Sequence, residues 1–96
     1  MRTEINVEEG RISAYEDNEE VGRLLFETEN GVVAIMHTYA YQEGRGIGKT
    51  LVVACIEYAR DNGLKINPVC SYAHVVIMRN QEYHKLLSDT SGEALD

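Results

Sequence analysis

The feature that most constrains the fold is the stretch from Tyr41 to Leu51, YQEGRGIGKTL, in which three alternate glycines precede a lysine and a threonine. Glycine adopts backbone conformations closed to other residues and lets peptide N–H groups approach an anion closely. Apolar residues then recur at helical spacing, which predicts a helix from Ile47 to Asn62 that stops at Gly63. A glycine turn that opens a helix favours phosphate, because unpaired N–H groups meet the positive end of the helix dipole there. The alternative is a flexible connection without a ligand.

Two familiar phosphate-binding motifs do not fit these glycines. A Walker loop would end on residues 48–50, GKT, but it requires glycine at Glu43. A dinucleotide fingerprint would use Gly44 and Gly46, but its third glycine falls on Lys49, and no ribose-binding acid follows the next strand. The turn is therefore predicted to bind phosphate in another way.

Length and composition indicate one small globular domain, residues 1–96. The chain of 96 residues leaves no room for a second domain or for a complete nucleotide-hydrolysing fold. Its apolar share of 44% and charged share of 26% are ordinary for a soluble protein, and no run is long enough to span a membrane. Because the N-terminus lacks the apolar core of a secretory signal, a cytoplasmic location is expected. The two cysteines, Cys55 and Cys70, are too few for a metal site, so none is expected.

Charge is distributed unevenly along the chain. The net charge is −7, which argues against nucleic acid, since phosphates require a basic surface. Residues 1–30 carry nine acids and three bases, whereas residues 31–96 carry seven acids and six bases. The half that contains the glycine turn is therefore the better host for a polyanionic cofactor.

The other segments predict an α/β fold with a mixed sheet. Asn30-Gly31 is a strong hairpin signal, and period-two alternation after it places His37 on the same strand face as Val33 and Ile35. The layout is an antiparallel meander, a crossover helix, a parallel strand beside the last strand of the meander, and a C-terminal helix. The predicted elements are strands at 4–7, 12–15, 21–28, 32–41 and 64–69, helices at 47–62 and 72–79, a helical turn at 83–87, and a frayed tail at 88–96.

The run EGRGIGKTLVVACIEYARDNGLKI resembles the acetyl-CoA-binding motif of the GNAT superfamily of N-acetyltransferases. With HTYAY before it and PVCSYA after it, the chain looks like the short single-domain branch of that superfamily found in bacteria and plants, from about Asn30 to Leu87. The resemblance implies a sheet that splays open between its two central strands, with the pantetheine arm of acetyl-CoA in the gap. Where the wider pattern has Gln or Arg, this chain has Glu43, an anion close to the expected phosphate site.

The resemblance also implies which residues hold the cofactor. Backbone N–H groups of the glycine turn would bind the pyrophosphate, with Arg45 and Lys49 as charge-assisted donors. The backbone just before the turn would pair with the pantetheine amides as an added strand does. The expected cofactor-binding residues are Tyr39, Ala40, Tyr41, Gly44, Arg45, Gly46, Ile47, Gly48, Lys49 and Thr50.

The expected chemistry centres on Cys70 and His37. Cys70 follows the parallel strand, where α/β sheets open to ligands, and the resemblance places His37 near the thioester. Either His37 deprotonates Cys70, which then accepts the acetyl group, or the amine attacks directly with His37 as base or Cys70 as acid. Each residue also has a structural interpretation, as a strand histidine and a small buried hydrophobe. Cys55, on the apolar helix face, is assigned to the core.

Two functions are carried forward from the sequence. The first is an acetyl-CoA-dependent N-acetyltransferase whose amine acceptor, a small molecule or a protein, is unidentified, although the acidic N-terminal half suits a cationic one. The alternative is a non-catalytic module that binds CoA or acyl-CoA. No membrane or nucleic-acid partner is expected, and the chain is expected to be a monomer or a weak homodimer.

Overall fold

The computed structural model describes residues 1–88 as one sheet with two helices and a short 3₁₀ helix. The predicted α/β fold with a mixed sheet is confirmed, and the predicted frayed tail at 89–96 lies outside the described residues. Ser88, placed in that tail, is buried, and its N–H donates to Ile66 O at 2.9 Å. The elements are β1 Arg2–Asn6, β2 Arg11–Glu16, β3 Glu19–Glu29, β4 Val32–Ala40, α1 Ile47–Asp61, β5 Lys65–Pro68, α2 Ser71–Met78 and the 3₁₀ helix Gln81–Leu86.

The sheet has the strand order β1-β2-β3-β4-β5. The first four strands form an antiparallel meander, and β5 pairs parallel to β4 after the crossover through α1. The β3–β4 hairpin turns at Asn30 and Gly31, whose φ angles of 52° and 78° are those of a two-residue turn of the type that matches strand twist. The predicted hairpin is therefore confirmed.

Helix α1 ends at the predicted glycine. Gly63 has φ 68°, its N–H donates to Arg60 O at 3.3 Å, and the N–H of Leu64 donates to Ala59 O at 2.8 Å. This pair of bonds is the Schellman arrangement, which satisfies the last carbonyl groups of a helix and turns the chain towards the next strand. The end of α1 thereby delivers the chain directly into β5.

Both helices cover one face of the sheet. Leu51, Val52 and Cys55 of α1 are fully buried in a core with Leu24 and Ile35 of the central strands. In β4, Val33 and Ile35 are buried and the residues beside them are not, as expected for a sheet with one covered face. Among residues 1–88, no helix packs on the other face, which bears the exposed His37, Tyr39 and Glu27 on β3 and β4.

Candidate functional site

A cleft opens where β5 ends beside β4. Parallel pairing joins Val32–Ile35 only to Lys65–Pro68, and the last link is the Cys70 N–H to Ile35 O bond of 2.8 Å. Strand β4 continues beyond this point to Ala40, paired with β3 alone. Peptide groups on the far edge of β4 are thus left without a strand partner within residues 1–88, which is the splayed sheet that the resemblance implies.

The first turn of α1 faces this cleft with unsatisfied N–H groups. Gly44 and Gly46 have φ angles of 76° and 70°, in the left-handed region that favours glycine. Gly46 is the N-cap residue, no side chain caps the helix, and no acid lies in its first turn. The first helical bond is from Thr50 N to Gly46 O, at 3.0 Å, so the N–H groups of residues 47–49 precede the helical bonding pattern. Such a terminus attracts an anion.

Tyr72 of α2 lies against Gly48 of α1. A Cβ added at Gly48 would stand 2.9 Å from Cε2 and 3.1 Å from Cζ of the Tyr72 ring. The starts of both helices therefore meet at the cleft, and glycine at position 48 is required for this approach. The cleft has a volume of about 310 Å³ and is lined by Thr38, Ala40, Gln42, Glu43, Gly44, Gly46, Ile47, Gly48 and Tyr72.

Side chains of the turn are only partly available to a ligand. The Arg45 guanidinium forms an ion pair with Glu16 and donates to Gln42 Oε1 at 3.0 Å. The Thr50 hydroxyl donates to Gly46 O at 2.9 Å, whereas Lys49 is exposed. Of the two predicted charged donors, Lys49 is therefore free to meet an anion, and Arg45 must first leave Glu16.

The backbone before the turn differs in register from the expectation. The Tyr41 N–H donates to Val21 O at 2.9 Å, and the Tyr41 hydroxyl donates to Glu20 Oε2 at 2.6 Å. Because peptide groups of a strand alternate in direction, those of Tyr39 also point to β3, and those of Thr38 and Ala40 point to the open edge. Of the predicted backbone partners Tyr39, Ala40 and Tyr41, only Ala40 has peptide groups that point to the open edge. Thr38, whose peptide groups also point there, was not predicted.

A β-bulge separates the two predicted catalytic residues. Leu25 pairs with His37, but Phe26 pairs with Ile35, so Met36 is an extra residue in β4. The prediction that His37 shares a face with Val33 and Ile35 is therefore wrong. Beyond the bulge, Thr38 lies on the helix-covered face, and His37 is exposed on the opposite face. The His37 ring stacks on Tyr39, with centroids 5.9 Å apart.

Cys70 lies beside the cleft, in contact with Thr38 of its lining, whereas His37 does not. It is the N-cap residue of α2, and its Sγ donates to Thr38 Oγ1 at 3.6 Å. Burial raises the pKa of this thiol, but the backbone N–H of Ala73, the Thr38 hydroxyl and the N–H of Tyr72 bring the pKa below its ordinary value. The N-terminus of α2 thus favours ionisation of the Cys70 thiol, an effect that the sequence analysis had expected from the His37 imidazole.

Comparison with known proteins identifies the family. The profile of the GCN5-related N-acetyltransferase family matches residues 11–86. This chain belongs to that family. Among solved structures, it resembles the PaiA N-acetyltransferase of Thermoplasma acidophilum, which was crystallised in complex with coenzyme A, with a TM-score of 0.53 and 18% identity. The likeness covers 56% of this chain and 35% of the PaiA chain, so the chain spans about a third of that protein and shares its fold. No curated protein matches the sequence significantly.

Other predicted features of this GCN5-related chain can be placed in the structure. Cys55 is buried in the core as predicted, and burial raises its pKa to about 12. Glu43 is exposed and lines the cleft beside the uncapped first turn of α1. In residues 1–88, no group of three or more potential ligands could hold a metal ion. No helix in that range is long and apolar enough to cross a membrane.

Proposed function

We propose that this protein is an acetyl-CoA-dependent N-acetyltransferase that acts on a primary amine. The carrying observation is the uncapped first turn of α1 at the mouth of a split between β4 and β5, with Cys70 beside the split. A pyrophosphate and an extended amide arm fit these two features. CoA in the related PaiA fold supports this choice of cofactor.

The proposed cofactor lies along the cleft with its pyrophosphate at the start of α1 and its thioester towards Cys70. Its pyrophosphate accepts hydrogen bonds from the N–H groups of residues 47–49, with Lys49 as the charged donor. Its pantetheine amides pair with the open peptide edge at Thr38 and Ala40, as an added strand would. The thioester then reaches Cys70.

Direct attack by the amine is the route that the geometry supports best, because His37 and Cys70 lie on opposite faces of β4. The amine nitrogen forms the C–N bond with the acetyl carbonyl while the C–S bond breaks. His37 accepts a proton from the amine, and the Cys70 thiol gives its proton to the departing CoA thiolate. The products are the acetamide and CoA, and the side chains are reset when solvent takes the proton from His37 and returns one to Cys70.

The covalent route makes a different prediction for the same thiol. There, a Cys70 thiolate attacks the thioester, retains the acetyl group and releases CoA before the amine reacts. Because hydrogen bonds to the start of α2 and to Thr38 hold the pKa of Cys70 below that of an ordinary thiol, its ionisation begins at a lower pH. As pH rises through that pKa, an acid role loses rate and a nucleophile role gains it, and this limb of the profile disappears in Cys70→Ala.

The test combines binding with single-turnover mass spectrometry. Cys70→Ala is expected to lower acetyl transfer by about 100-fold, since proton transfer contributes this much, while the Kd for CoA changes little. Intact protein mixed briefly with acetyl-CoA and no amine should stay unmodified on the direct route. An acetyl group on Cys70 that passes to an added amine would replace direct attack with the covalent route. Wild-type transfer by Cys70→Ala would show that Cys70 is structural.

A further inference from the structure

A second groove lies on the uncovered face of the sheet. It has a volume of about 290 Å³ and runs between the β1–β2 turn and the bulged part of the β3–β4 pair. Gly10 anchors the turn there, since the Phe26 N–H donates to Gly10 O at 2.8 Å. Any Cβ at Gly10 would stand 2.1 Å from Phe26 O, so the turn cannot carry a side chain at that point. The side chains that give the groove its character belong to Glu9, Leu25, Glu27, Met36 and His37.

Successive residues of β4 line this groove and the cofactor cleft. Ile35 is the last residue of β4 that pairs with β5, and Met36 and His37 follow it at once. The next residue, Thr38, contacts Cys70 on the helix-covered face. A group reaching the split from the groove therefore approaches the thioester from the side that the cofactor does not occupy.

The lining of the groove matches a cation on an aliphatic stem. Leu25 and Met36 supply apolar surface, and two carboxylates flank it. Glu9 forms an ion pair with Arg11, with 2.7 Å between Glu9 Oε1 and Arg11 Nη2. Glu27 forms no ion pair within residues 1–88. The net charge of the groove is negative, and Glu27 is the free anionic contact for an ammonium group.

We propose that this groove binds the acceptor, an alkyl primary amine of the lysine side-chain type, for the transfer reaction proposed above. The stem lies on Leu25 and Met36, Glu27 attracts the ammonium group, and His37 faces the nitrogen as it reaches the split. The bulge at Met36 is the backbone feature that turns His37 into this groove and away from Cys70.

The test measures binding separately from turnover. Nα-acetyl-lysine amide is titrated into the full chain, with and without CoA, while backbone amide signals are followed by NMR. Shifts are expected at Leu25, Glu27 and His37. Glu27→Gln should weaken the Kd by about fivefold, as expected for one partly exposed charge pair. The matched control is Glu29→Gln on the same strand, which removes the same charge outside the groove and should leave the Kd within about twofold.

Each outcome decides the proposal. A neutral analogue, Nα-acetyl-norleucine amide, should bind more weakly to the wild type and equally to both variants. Equal affinities of Glu27→Gln and Glu29→Gln for the lysine analogue, or shifts confined to other surfaces, would overturn the groove assignment even if the protein acetylates amines. Selective shifts and weakening at Glu27 would support it even if no acetyl transfer were detected, in which case only the proposed reaction fails.

Discussion

Replacing Gly48 with alanine should separate folding from cofactor binding. Gly48 is helical, so alanine should itself favour the helix by about 0.5–1 kcal/mol. Its Cβ would stand 2.9 Å from the Tyr72 ring, which must move by roughly 0.5 Å or more to reach an ordinary carbon contact. Tyr72 is 43% exposed, so the ring can move at little cost, and because the ring lines the cleft its displacement alters the space for the cofactor. We expect unchanged or slightly higher Tm and CoA affinity about tenfold weaker, or 1.4 kcal/mol.

Calorimetric titration with CoA and a thermal melt give both quantities. The double variant Gly48→Ala with Tyr72→Ala should recover affinity, because the displaced ring is gone. Gly46→Ala provides the contrast: its Cβ would meet nothing within 4 Å, but φ is 70°, so it should lose about 1–2 kcal/mol of stability. Wild-type CoA affinity in a folded Gly48→Ala variant would refute the placement of the cofactor beside Tyr72.

The remaining predictions concern thiol reactivity and charge. At neutral pH, iodoacetamide should alkylate Cys70 well before Cys55, because the pKa of Cys70 is lowered while burial raises that of Cys55 to about 12. Peptide mapping after timed quenching measures both labelling rates, and equal rates in the folded protein would contradict this order. Glu43→Gln should tighten CoA binding severalfold by removing an anion from the cleft, and unchanged affinity would show that this carboxylate turns away. Glu16→Gln should also tighten CoA binding, since Arg45 is then free to meet the pyrophosphate; equal affinity would exclude Arg45 as a ligand.

Local signals made much of the fold predictable. Asn30-Gly31 requires positive φ at both positions, and Gly63 ends a helix, so each marks a boundary by its own backbone chemistry. The glycine turn likewise predicted the start of α1 at Ile47, which the structure confirms.

The strand bulge could not be read from the sequence. Alternation assigns His37 to the face of Ile35 unless the strand contains one extra residue. No glycine or other sequence signal of a bulge occurs at Met36. That single residue moves His37 to the uncovered face and brings Thr38 to Cys70. Pairing of Arg45 with Glu16 was equally hidden, because it joins residues 29 apart that only the folded sheet brings together.

Acceptor-dependent turnover of acetyl-CoA is the decisive test of the proposed N-acetyltransferase activity. Purified protein is supplied with acetyl-CoA and Nα-acetyl-lysine amide, and both the CoA thiol and the Nε-acetyl product are quantified by mass spectrometry. We expect saturable formation of both products in a one-to-one ratio, with transfer about 100-fold lower in Cys70→Ala. Saturable CoA binding without acetamide from this or any other amine would contradict the enzyme assignment and support a CoA-binding module.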